Sequence, residues 1–271
     1  MKIEFYYFSG TGNTAWVVDR LDERLTDLGD EVTVASCEQV AASDVDPAAS
    51  DVMGLAFPVY ASFAPALVRD FIAALPVVEE KPLFAVTTAG YVAGDTAWYA
   101  VRPLRAKGYE PFVLANVVVA NNLRLPLLSP LPIPTRDEMV NRLERATEKI
   151  RRLAEWIHGR KHHVEGIGIF GRLLGLTQRL SVGPFEALAF KGFFADGTCT
   201  RCGWCVENCP VGNIEAEEGQ IVFGGACMLC MRCYSFCPME AIQCTDRTRD
   251  RKRYPRYSGP YVSRKKDGRL E

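Results

Sequence analysis

The sequence predicts an α/β protein: a doubly wound, five-stranded parallel sheet over residues 1–160, then a small α+β module over residues 196–245. Three observations carry this reading. Five strand-like segments alternate with helical ones before residue 160, nine of the ten cysteines fall between Cys199 and Cys244, and eight of those nine form a run that occurs twice.

Lys2–Ser9 is an apolar, aromatic run of strand length. A helix from about Asn13 to Leu28 follows, with Val17, Leu21, Leu25 and Leu28 on one face and Gly29 placed to cap its end. Glu31–Ser36 is a short β-branched strand. Val52–Phe57 and Leu83–Thr88 read as strands buried on both faces, leading into helices near Ala66–Leu75 and Thr96–Lys107. A last strand, Phe112–Ala120, precedes a long helix opened by a Thr135/Glu138 capping box, with Val140, Leu143, Ile150 and Ile157 along one face.

Composition is that of a globular chain: 48% hydrophobic, 24% charged, net charge −1. It argues against wholesale disorder and offers no global charge for nucleic acid or an anionic membrane. The opening MKIEFYYFS carries Glu4 within its apolar run and lacks a small-residue cleavage site, so no secretory leader is expected. The longest uncharged stretch, Val52–Val68, is broken by Pro58 and Pro65, and no transmembrane segment is predicted. The expected location is cytoplasmic, where clustered cysteines mean metal rather than disulfides.

Between residues 161 and 195 the rhythm is lost. GIGIFGRLLGLTQRLSVGPFEALAFKGFF is apolar and glycine-punctuated, and reads as a connector packed between the modules. Its polar face is thin for a helix lying on a membrane surface. Residues 246–271 hold ten Lys/Arg against four Asp/Glu, leaving −7 on the rest of the chain. Tyrosines interleave with these arginines, a pattern known from nucleic-acid binding. A terminal charge run reads first as a solvated or docking tail, and no nucleic-acid partner is expected. His158, His162 and His163, beside Arg160 and Lys161 at a helix end, read as solvated surface.

Cys199-x-x-Cys202-x-x-Cys205-x-x-x-Cys209-Pro210 recurs 28 residues later as Cys227-x-x-Cys230-x-x-Cys233-x-x-x-Cys237-Pro238. Thiolates at every third residue let a tight loop wrap three irons of a cubane, while the fourth cysteine starts a turn that points to the neighbouring cluster. Cys199, Cys202, Cys205 and Cys237 are therefore expected to hold one [4Fe–4S] cluster, and Cys227, Cys230, Cys233 and Cys209 the other. Two zinc sites fit poorly, since zinc ribbons use separated CxxC pairs with no fourth cysteine before proline. A module of about 50 residues has too little core to stand alone, so metal must supply part of its folding energy. Cys37 reads as a small buried hydrophobe and Cys244 as a non-ligand packing residue.

Ser9-Gly10-Thr11-Gly12-Asn13-Thr14 lies between the first strand and the first helix. Two glycines let the chain turn tightly, and three hydroxyls converge with N–H groups at a helix N-terminus to make an anion site. The loop lacks the GK[ST] of nucleoside-triphosphate loops and the three glycines of dinucleotide loops.

This loop is similar at every position to the FMN-phosphate loop of flavodoxins, T/S-x-T-G-N-T, and residues 1–160 resemble that family. Residues 196–245, with CPVGNI and CPMEAI, resemble bacterial-type two-cluster ferredoxins. The whole resembles the EFR1-type flavodoxin–ferredoxin fusion family, although the tail's Tyr257-Ser-Gly-Pro260-Tyr-Val262 lacks the arginine and asparagine of that family's YRNPxV-like element. The resemblance implies strand order 2-1-3-4-5 with FMN at the carboxyl ends of strands 1, 3 and 4. Pro58, Val59 and Tyr60 after strand 3, and Thr88, Ala89, Gly90 and Tyr91 after strand 4, would flank the flavin ring. It also implies an intracellular electron-transfer flavoprotein with redox partner proteins. The alternative is an FMN-dependent reductase of a quinone or other small organic acceptor, fed by the clusters. No residue stands out as an acid or base matched to a substrate.

Overall fold

The computed structural model describes residues 1–126, 131–189 (the last nine as backbone only) and 192–260. Six parallel strands form one sheet: β1 (Lys2–Tyr7), β2 (Glu31–Ser36), β3 (Val52–Pro58), β4 (Lys81–Ala89), β5 (Tyr109–Val118) and β6 (His163–Val164). Their order, β2-β1-β3-β4-β5-β6, begins with the flavodoxin-like doubly wound arrangement. The sixth strand was not foreseen. Its two residues pair with Val113 and Leu114, and the next residue, Glu165, anchors it by accepting from the Asn116 N–H and Lys149 Nζ.

Helices α1 (Asn13–Asp27) and α4 (Arg136–His158) bury one face of the sheet, through Val17, Leu21, Ile150 and Leu153 against Ile3 and Phe5. Helices α2 (Ala66–Ala74) and α3 (Thr96–Val101) bury the other, through Val68, Phe71 and Val101 against Tyr6 and Phe57. The capping box at Thr135 is present, with both reciprocal bonds. Periodicity misassigns two residues: Leu28, the C-cap of α1, and Val140, in the first turns of α4, are both exposed. The helix expected over Thr96–Lys107 changes to 3-10 turns at Arg102, because Pro103 has no N–H to continue the α-helical ladder. The histidines lie at the surface as expected, His158 and His162 exposed and His163 half-buried, but two of them also make specific contacts. His158 Nδ1 bonds the buried Asp30 carboxylate at 3.0 Å, and His163 stacks on Trp156 with ring centroids 3.9 Å apart.

Helix α5 (Ile169–Ala189) follows β6. The cysteine module holds β7 (Phe194–Ala195), α6 (Trp204–Glu207), β8 (Ile214–Glu217), β9 (Gln220–Phe223), α7 (Arg232–Phe236) and β10 (Ile242–Gln243). Its sequence repeat is also a backbone repeat. Left-handed residues recur 28 positions apart, at Arg201 and Leu229, Gly203 and Met231, Gly212 and Glu240, and α6 and α7 start at equivalent positions. Phe193, Ile214, Tyr234 and Ile242 form its small core.

The two modules share their interiors. Met228 and Cys230 are buried with Phe8 and Phe57 of the first module, and Tyr257 is buried with Trp16 and Val17. Much of the connector's apolar surface among the described side chains is not packed: Ile169, Phe170, Leu173, Leu176 and Leu180 are exposed. The phenylalanine-rich stretch after residue 184 lies outside the described side chains as far as residue 191, and tail residues 261–271 lie outside the described residues. Among the described residues, no helix is long and apolar enough to cross a membrane.

Candidate cofactor sites

Sequence and geometry agree first at the loop leaving β1. Gly12 adopts φ +95°, a conformation open to glycine, and caps α1 while its N–H donates to Ser9 Oγ at 3.1 Å. Asn13 is buried; its Nδ2 donates to the Ala120 carbonyl at 3.1 Å, and its Oδ1 accepts from the Tyr257 hydroxyl. Thr14 and Thr88 hydroxyls share a hydrogen bond of 2.7 Å, and Thr11 Oγ1 accepts from Asn122 Nδ2 at 2.6 Å. The Thr11 hydroxyl keeps its proton to donate, and so does one member of the Thr14/Thr88 pair. The first turn of α1 holds no acidic residue, so the helix dipole and these donors together favour an anion.

Above this loop lies a cleft of about 360 Å³ at the carboxyl ends of the strands. Ser9, Gly10, Thr11, Asn13 and Thr14 line it, as do Pro58, Val59, Tyr60, Thr88, Ala89, Gly90 and Tyr91. Of the predicted flavin-site residues only Gly12 is absent from the wall, being turned into the cap. Thr88 and Ala89 belong to β4 itself rather than to the loop after it, because the strand runs on to Ala89. Gly90 has no room for a Cβ, which would strike the Asn121 backbone.

Nine wall residues were not expected from the sequence: Ala61, Val92, Ala120 and Leu131 adjoin expected ones or loops nearby, and five others come from further off. Asn121, Asn122 and Leu123 follow β5 at the same edge of the sheet, where loops after strands line ligand crevices. Gln178 comes from α5 and Leu229 from the second cysteine run, and no local signal announces either. The Tyr60 hydroxyl is buried and has no hydrogen-bond partner among the described residues. Burial, with Cys230 nearby, pushes this phenol well above its ordinary range and keeps it a donor. A buried orphan donor in the wall of a cleft is the mark of a site completed by a ligand.

The eight repeat cysteines line two cavities. Cys199, Cys202, Cys205 and Cys237 line one; Cys227, Cys230, Cys233 and Cys209 line the other. Each cavity therefore takes three cysteines from one run and the last from the other, the crossed grouping expected from the spacing. Equivalent N–H donors reach the sulfurs in both: Arg201 to Cys199 and Leu229 to Cys227, Asn213 to Cys209 and Ala241 to Cys237, at 3.2–3.5 Å. Such donors stabilise thiolate ligands and tune a cluster. Among the described residues, no three His, Cys, Asp or Glu side chains group tightly enough for a single metal ion. A cubane, with iron at four corners, takes its thiolates around a larger volume. Cys37 and Cys244 line neither cavity. Burial pushes the Cys37 thiol up to about 12, in keeping with a packed, inert cysteine.

The second cavity abuts the cleft. Leu229 lines both. A Cβ on Gly10 would meet the Cys230 carbonyl and the Tyr60 hydroxyl, so only glycine lets the two loops touch. Arg232 fastens them, donating to the carbonyls of Ser9 at 2.8 Å and Gly10 at 3.3 Å while its guanidinium grips both Glu38 carboxylate oxygens at 2.6 and 2.7 Å.

Fold and site together define an iron–sulfur module built onto a flavodoxin-like sheet. Residues 198–242 match the family model of the 4Fe–4S dicluster domain. No curated protein matches the chain. Among solved structures, the chain is similar to the flavodoxin of Streptococcus pneumonia TIGR4, at 23% identity over 56% of this chain and 99% of that one, TM-score 0.37. It is also similar to oxidised Flavodoxin 2 from Bacillus cereus, at 19% identity over 57% and 96%, TM-score 0.41. Rubredoxin oxygen:oxidoreductase from the anaerobe Desulfovibrio gigas matches at 16% identity over 57% of this chain and 36% of that one, TM-score 0.38.

Proposed function

We propose that this chain is an iron–sulfur flavoprotein that carries electrons between two [4Fe–4S] clusters and FMN, in the manner of a flavodoxin–ferredoxin fusion, for redox partner proteins. When bound, the clusters supply one-electron exchange and the flavin one- or two-electron exchange. The observation that carries the reading is Leu229, which lines both the cleft and the cavity of Cys209, Cys227, Cys230 and Cys233. That adjacency supports an order in which the Cys199/Cys202/Cys205/Cys237 cluster is the outer one.

The residues divide the work. Hydroxyls of Thr11 and Thr14, with the N-terminus of α1, would hold the phosphate. Tyr60, Tyr91 and the close-packed Gly90 would flank the ring, the Tyr60 hydroxyl donating to whatever acceptor fills its side of the cleft. Arg232 keeps the cluster loop against Ser9 and Gly10. A second reading, reduction of a quinone or other small organic acceptor at the flavin, is favoured by one feature: Tyr91 and Val92, in the cleft wall, remain exposed.

Anaerobic purification with iron, sulfide and flavin measured on one sample tests the proposal. We expect about eight irons per chain, and FMN held at least about tenfold more tightly than riboflavin, since a charge-assisted contact is worth about 1.5–3 kcal/mol. Zinc in place of iron, or equal affinity for the two flavins, would refute it.

A further inference from the structure

Helix α5 has two faces of opposite character. Gly171, Gly175 and Gln178 fall on one, by helical spacing, and Ile169, Leu173, Leu176 and Leu180 on the opposite one. The first face docks. A Cβ on Gly175 would run into the Asp95 carboxylate, so glycine lets the helix backbone approach this closely. Ser62 donates to Gln178 at 2.6 Å, and Arg179 grips Asp95 at 2.7 and 3.1 Å. Gln178 also lines the cofactor cleft.

The second face is bare. Ile169, Phe170 and Leu180 are 88%, 77% and 71% exposed, and Leu173 and Leu176 are exposed between them. Scattered exposed leucines are ordinary, but a contiguous row on one helix marks an interaction surface. Its charge surroundings are one-sided. A shallow cavity of about 530 Å³ beside the row has Arg102, Arg172 and Arg179 in its wall against Asp95 alone, with Trp98 and Tyr99 between them. Arg179 is neutralised by Asp95, which leaves Arg102 and Arg172 in excess. From Gly166 to Phe185 the chain contains no carboxylate.

We propose that α5 lays this row on an anionic lipid surface, so that the protein docks peripherally on a membrane with Arg102 and Arg172 at the headgroups. An apolar row flanked by cations is what such a surface selects. A two-fold partner would present the same patch, with the same cationic flank and no unpaired acid among its described residues to meet it. The inference rests on α5 and the arginine flank beside it, and stands or falls independently of the flavin reading.

The test is sedimentation of the full, cluster-loaded chain with vesicles of phosphatidylcholine alone or mixed with phosphatidylglycerol. We expect the chain to pellet with the phosphatidylglycerol vesicles and not with phosphatidylcholine, and added salt to release it. Phe170→Ser with Leu173→Ser should weaken partitioning at least about tenfold. Arg172→Glu, which spares the apolar row, should weaken it about fivefold or more. Circular dichroism and iron content, unchanged in both variants, would establish that the fold is intact. Failure to bind phosphatidylglycerol vesicles, equal binding to both vesicle types, or undiminished binding by both variants would overturn the proposal. A dimer in light scattering that the double substitution dissociates would overturn it too, by showing that a second copy covers the row.

Discussion

The Tyr257 hydroxyl donates to Asn13 Oδ1, joining the C-terminal segment to the phosphate loop across 244 residues of sequence. Tyr257 is buried against Trp16 and Val17, and burial lifts its phenol far above the ordinary range, so it remains a donor at every physiological pH. Asn13 thus has two anchors, Tyr257 on its oxygen and Ala120 on its nitrogen. Tyr257→Phe keeps the ring and orphans the Asn13 oxygen, at a cost of about 1–2 kcal/mol. FMN affinity should fall several-fold and the melting temperature by a few degrees. Flavin-fluorescence titration and a melt check this; full FMN affinity in the variant would show that the loop holds itself.

The crossed cysteine cavities lead to a paired expectation. Cys209→Ser should remove the cluster that adjoins the cleft, although Cys209 belongs to the first run. Cys237→Ser should remove the outer one. Iron analysis and EPR of the two variants distinguish the outcomes, since only the cluster near the cleft should perturb the flavin spectrum. The reverse assignment would exclude crossing.

Arg232 is a separate lever: it lines the cavity of Cys209, Cys227, Cys230 and Cys233 without supplying a sulfur, and its guanidinium reaches across to the loop of Ser9 and Gly10. Arg232→Ala breaks the paired contact with Glu38 and two contacts to Ser9 and Gly10, at a cost of about 3 kcal/mol. Iron content should hold, while FMN affinity drops about tenfold and exchange between flavin and cluster slows. Unaltered FMN binding would mean that Met228 and Cys230 hold the loops together without it.

Glu165 permits a signed expectation with pH. Burial pushes its carboxyl up, yet Lys149, the Asn116 N–H and His163 outweigh burial and hold it below the ordinary carboxylate range. The stabilisation is therefore complete above the ordinary glutamate value of about 4.3 and is lost only as pH falls through the lower folded value. Glu165→Gln should lower stability by about 1–2 kcal/mol, an amount constant from about pH 8 to pH 6. Urea midpoints across that range check it, and a gap that closes near neutrality would contradict it.

Much of this arrangement is legible in the sequence because it is local. Ser9–Thr14 sits between a strand and a helix, and the cysteine spacing by itself dictates crossed grouping. Tyr60 and Tyr91 reach the cleft because they sit just past the ends of adjacent parallel strands. What is not legible comes from afar. Leu229 reads as an apolar residue in a cysteine run, and only packing turns it toward the cleft. Tyr257 is hidden in a charge run, whose arginines mask a core residue. Periodicity alone also cannot tell that α5 docks by glycine and leaves its leucines outside, since both faces have helical spacing.

Cluster and flavin are expected to exchange electrons within one molecule, across the contact made by Leu229, Gly10 and Cys230. Rapid anaerobic reduction, with flavin and cluster absorbance followed separately, measures this directly. The flavin–cluster equilibration rate should not change when the protein is diluted about tenfold, as a first-order internal step requires. A rate that falls in proportion to concentration would contradict it, placing the exchange between molecules.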